Sequence, residues 1–116
     1  MIETILLDYL TDALDVPVYM EKPKEYGDSF VVLERTGGRE EDYLQSATIA
    51  IQSYGGSLYK AAALAETVKS KMLEAVQCPE IASVKLNSIY NFSNNGSTSN
   101  PSKQYCYQSV FEVFYY

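Results

Sequence analysis

The stretch Ala47-Thr48-Ile49-Ala50-Ile51-Gln52-Ser53-Tyr54-Gly55-Gly56-Ser57, running on into Leu58-Tyr59-Lys60-Ala61-Ala62-Ala63-Leu64-Ala65, decides the fold. From Tyr43 to Tyr54 the residues Tyr43, Ala47, Ile49 and Ile51 alternate with Leu44, Ser46, Thr48, Ala50 and Gln52, the two-residue period of a strand with one more apolar face. Gly55-Gly56 breaks that strand, and Ser57 stands where a helix N-cap belongs. Residues 58–76 are then rich in Ala, Leu, Lys, Glu and Met, which favour helix, and Ala61, Ala65, Val68, Met72 and Val76 form a flat stripe of mostly small residues suited to lying close on a sheet.

Upstream, Ile2, Ile5, Leu6, Tyr9, Leu10, Ala13 and Leu14 recur at helical spacing between Glu3, Asp8 and Asp12, predicting an amphipathic helix that Pro17 ends. Val18-Tyr19-Met20 is a short strand candidate cut off by Pro23, and a firmer strand over residues 29–36 is expected to end at Gly37-Gly38. Downstream, Val84, Leu86, Tyr90 and Phe92 alternate with Lys85, Asn87 and Asn91. In the last strand Tyr105, Tyr107, Phe111, Val113 and Tyr115 face one way, against Gln104, Cys106, Gln108, Glu112 and Tyr116. The order α-β-β-β-α-β-β predicts one α+β domain over residues 1–116: a mostly antiparallel sheet of about five strands with both helices packed on one face.

A chain of 116 residues with 47% hydrophobic and 21% charged residues lies in the range of ordinary globular domains and can bury roughly two thirds of its unfolded surface. Its formal net charge of −6 argues against a surface that tracks phosphates. The first fifteen residues carry four acids and no cation, unlike a signal peptide, and no apolar run approaches the ~20 residues that span a bilayer, so a cytoplasmic setting without membrane insertion is expected. Cys78 and Cys106 read as reduced thiols.

The chain has no histidine, which removes the commonest general base and metal ligand. It also lacks CxxC, P-loop and GxGxxG patterns, so no enzyme activity, catalytic residue, metal or cofactor is expected. The one dense acidic cluster, Glu40-Glu41-Asp42 beside Arg39, is read as a solvated or interface-facing turn, because no second set of ligands accompanies it. Tyrosine is abundant, at 11 residues with no tryptophan, and Tyr54, Phe114 and Tyr116 fall on the less buried strand face. Two readings stay open for them: an interface between proteins, or a second sheet face covered within the monomer. Asn94, Asn95, Gly96 and Ser97 lie in a polar stretch expected to be a mobile hairpin tip.

With its small polar turn, its Ala/Leu/Val helix and the Phe-Val-Val-Leu strand at residues 30–33, the sequence resembles the tail-completion or tail-terminator (head-tail joining) proteins of long-tailed bacteriophages over most of its length. The resemblance implies a structural subunit of a phage or prophage virion, made in the host cytoplasm. It would assemble as a homo-hexameric ring that caps the tail tube and joins it to the head connector, with DNA passing through unbound. Arg39, Glu40, Glu41 and Asp42 would then line the lumen or an interface, and the Ser/Asn loop would order on meeting a neighbour or the tail tube. A second reading of the same residues is a small cytoplasmic module that binds a protein partner through the Tyr-bearing sheet face, with no phage role.

Overall fold

The computed structural model describes residues 1–24, 27–41, 44–92 and 105–116, and of residues 40 and 41 the backbone alone. It consists of helix α1 (Ile2–Ala13), strands β1 (Val18–Tyr19), β2 (Phe30–Glu41) and β3 (Leu44–Gly55), helix α2 (Leu58–Leu73) with a 3₁₀ turn (Glu74–Gln77), and strands β4 (Ile81–Asn91) and β5 (Tyr105–Tyr115). This is the expected element order and an α+β fold. The strands form one five-stranded sheet in the order β1-β2-β3-β5-β4.

The sheet is mostly antiparallel, as expected, with one parallel pair that makes it mixed. β1 lies parallel to β2, with Val18 beside Val31 and Tyr19 beside Val32. The ten residues that join them are enough for the chain to return to its starting end, whereas an antiparallel neighbour needs only a tight turn. After β3 the chain crosses through α2 to the outer position of β4, and β5 then enters between β3 and β4, antiparallel to both.

Both helices cover one face of the sheet. Ile2, Leu6 and Leu10 of α1 and Val68 and Met72 of α2 join Val31, Leu33, Ala47, Ile49, Ile51, Phe111, Val113 and Tyr115 in a single buried cluster. Ser57 caps α2 as expected, its Oγ accepting from the Lys60 backbone N–H at 3.1 Å. The start of α2 lies so close to β3 that a Cβ at Gly55 would come within 2.6 Å of the Ala61 nitrogen. Small side chains make that approach possible: Ala61 and Ala65 on the helix, Gly55, Ser53 and Ser109 on the sheet. At its far end the helical stripe departs from expectation. The chain tightens into the 3₁₀ turn after Leu73, which rotates Ala75 into the core and leaves Val76 exposed. A hydrogen bond from the Tyr9 hydroxyl to the Lys71 carbonyl (2.7 Å) ties α1 to α2.

Two further differences arise from β-bulges. β2 does not stop at Gly37-Gly38 but continues to Glu41, so Arg39, Glu40 and Glu41 stand on a strand and not in a turn. The register shift between Arg35 and Gly37 absorbs one residue, and Gly38 has no side chain to obstruct the close approach of β3, where a Cβ would meet the Ser46 carbonyl at 2.5 Å. In β4 the shift between Leu86 and Ser88 inverts the alternation. Ile89 joins Val84 and Leu86 on the helix side, and Tyr90, expected with them, turns to the opposite face.

Candidate assembly surfaces

The face of the sheet away from the helices holds the aromatic residues that the sequence singles out. Arg39 pairs with Ser46, and Ser46 with Phe114, so Arg39 and Phe114 flank Ser46 in one row across β2, β3 and β5. Tyr116 follows at the end of β5, 70% exposed, its backbone N–H donating to the Glu80 carbonyl at 3.0 Å. The structure thus brings Arg39, Phe114 and Tyr116 to one end of the sheet, where the backbone of Glu40 and Glu41 completes β2. Asp42 lies outside the described residues, as do Asn94, Asn95, Gly96 and Ser97.

Tyr54 is elsewhere. On β3 it stands eight residues from Ser46, about 26 Å along the strand. Its ring stacks on Phe30 (centroids 4.5 Å apart, interplanar angle 8°), Tyr19 meets Phe30 edge-on, and the Lys22 ammonium sits 5.2 Å over the Tyr54 ring. Phe30 is fully buried there although neither α1 nor α2 covers that face.

From Tyr54 a directional chain of hydrogen bonds crosses the face. The Tyr54 hydroxyl donates to Gln52 Oε1 (2.9 Å), Gln52 Nε2 donates to Gln108 Oε1 (3.2 Å), and Gln108 Nε2 donates to the Tyr90 hydroxyl. Each link strengthens the next, and the chain ends at Tyr90, which remains 41% exposed beside Phe92. Gln52 and Gln108 carry no signal in the sequence beyond polar alternation; only the β3–β5 register sets them opposite each other.

At the aromatic end Cys106, paired with Tyr54 across β3 and β5, is buried on the open face, whereas Cys78 is half-buried against the helix-side core, and no disulfide joins them. Burial raises the Cys106 thiol to a pKa of about 11, with the Tyr54 hydroxyl and Lys22 acting in the opposite direction. Among the described residues no three His, Cys, Asp or Glu side chains cluster as metal ligands, and no helix is long and apolar enough to cross a membrane. The open face carries a stacked aromatic pair under the Lys22 ammonium and a row of glutamine and tyrosine hydrogen bonds at one end, and Arg39 with Phe114 and Tyr116 at the other.

No family model matches the chain, and no match is found among curated proteins.

Proposed function

We propose that the protein is a structural assembly subunit, a ring-forming tail terminator of a phage or prophage tail that caps the tail tube and meets the head connector. The observation that supports this reading most is the unit on which the resemblance rests. Strand β3 runs to Gly55, Ser57 caps the following helix, and α2 lies flat on the sheet through Ala61 and Ala65. The open face supports it further, because its two ends differ in chemistry. A subunit held between two unlike partners needs two unlike contact surfaces, the aromatic end at Tyr54, Tyr90 and Phe92 and the charged end at Arg39, Phe114 and Tyr116.

In this reading the acids at the β2 end line the passage for DNA, repelling phosphates so that the polymer slides without being retained. Native mass spectrometry with negative-stain imaging tests the assembly, a six-membered ring being the expected result. Replacing Glu40, Glu41 and Asp42 together by Lys tests the lining. Rings are expected to persist while infectious titre falls, and an unchanged titre would refute the role of the acids.

A further inference from the structure

The two edges of the sheet are incompletely paired, and they match one another. β1 covers only Val31 and Val32 of β2, so from Leu33 to Glu41 the outer side of β2 has no neighbouring strand among the described residues. Among the described residues β4 pairs with β5 alone. Following the pairings across the sheet, β4 runs opposite to β2. A second copy set beside the first without being turned over therefore brings its β2 antiparallel to β4, with the helices of both copies on the same side.

The two edges also agree in level and in shape. Read through β3 and β5, Ile89 is level with Leu33, Ser88 with Glu34, Leu86 with Arg35, Lys85 with Gly37, Val84 with Gly38, and Ser83 with Arg39. β2 takes in its extra residue, Thr36, just to one side of the row through Ile49 and Phe111, and β4 takes in Asn87 just to the other side. Bulges ordinarily bend an edge away from indiscriminate pairing. Here both edges bend at nearly the same level, which leaves each matched to the other and poorly matched to a straight strand. In this register Lys85 stands opposite a glycine, no like charges face each other, and Ile89 meets Leu33. β1 of the second copy ends beside Val32, next to the Leu33 end of the shared ladder.

We propose that β4 is an assembly edge whose occupant is β2 of a second copy of this chain, pairing over Ser83–Ile89 and Leu33–Arg39 and repeating head to tail around a ring. This rests on the reading of the protein as a self-assembling subunit and adds which surfaces meet. The interface is heterologous, so it closes into a ring where the rotation per subunit allows. Because bulges interrupt both strands, each contact is short and weak alone, and stability comes from closure.

Site-directed cross-linking tests it. In a chain carrying Cys78→Ala and Cys106→Ala, the pair Ser88→Cys and Glu34→Cys places two thiols directly opposite each other across the proposed interface. Facing Cα atoms in an antiparallel pair are about 4.5–5.5 Å apart, within disulfide range. Mild oxidation of the concentrated protein is expected to give reducible multimers at least tenfold more abundant than from either single cysteine variant. Equal dimer from Ser88→Cys alone would show β4 pairing with itself and overturn the proposal. Rings imaged without cross-links would overturn the edge assignment and leave self-assembly standing; neither rings nor cross-links would overturn both. Should the first pair disturb folding, Ser83→Cys with Arg39→Cys probes the same ladder at another level, with the same outcomes.

Discussion

On the helix-covered face Ile49, Phe111 and Val113 are buried because two helices lie on top of them, whereas on the open face Phe30, Val32 and Cys106 are buried by their lateral neighbours. Phe30 lies between the rings of Tyr54 and Tyr19. The covered face uses large aliphatic side chains in its middle and Ala, Ser and Gly where α2 comes closest. The open face instead places a chain of hydrogen bonds where a second layer of helices would otherwise sit. The difference teaches that burial alone does not identify a core. One face is locked by close packing between layers, and the other is covered, among the described residues, side chain by side chain.

The most severe way to break this comparison is to truncate one aromatic on each face. Phe111→Ala removes a fully buried ring from between the layers and is expected to cost about 3–5 kcal/mol. Phe114→Ala, three residues on but on the open face, should cost less than about 1 kcal/mol. Urea unfolding of both variants decides it, and equal losses would mean that the open face is as tightly packed as the other. Gly55→Ala comes next, because its new Cβ meets backbone and not a flexible side chain; a loss of up to about 3 kcal/mol is expected in the same measurement.

Alkaline pH probes the open face through Cys106. Its folded-state pKa is raised from 9.0 to about 11, so between those values the unfolded chain loses a proton that the folded one keeps, and stability falls as pH rises. The loss is at most about 3 kcal/mol and complete above about pH 11, with the full contribution present below about pH 9. Subtracting the stability profile of Cys106→Ala from that of the parent isolates this part, and parallel profiles would rule it out. The smallest effect has the opposite sign. Ser109 is fully buried on the covered face and its hydroxyl has no hydrogen-bond partner among the described residues, so Ser109→Ala is expected to be neutral or to stabilise by up to about 1 kcal/mol. Thermal unfolding reads it, and a clear loss would reveal a hydrogen bond to that hydroxyl.

Local signals carried the elements. The alternation at residues 44–54, the Gly55-Gly56 break, the Ser57 cap and the small stripe from Ala61 to Met72 each reflect short-range physics that a linear reading captures, and the structure has all of them. Where one residue too many had to be absorbed, that reading lost phase. The Thr36 bulge carried β2 past its two glycines, and the Asn87 bulge exchanged Ile89 and Tyr90 between faces, because an extra residue inverts a period of two and is set by the neighbouring strand.

The candidate surfaces divide in the same way. That Tyr54, Phe114 and Tyr116 belong to the less buried face follows from alternation alone. Their separation into two ends, the union of Arg39 with Phe114 across Ser46, and the Gln52–Gln108 link depend on strand order and register. By itself the sequence determined the composition of an acidic α+β domain, its helices and the apolar faces of β3 and β5, since these rest on propensity and periodicity within a few residues. Only the tertiary structure decided that β1 lies parallel to β2, that β5 enters between β3 and β4, and that β2 and β4 are bulged one residue to either side of the same row, because pairing joins residues far apart in the chain whose contacts no local pattern encodes.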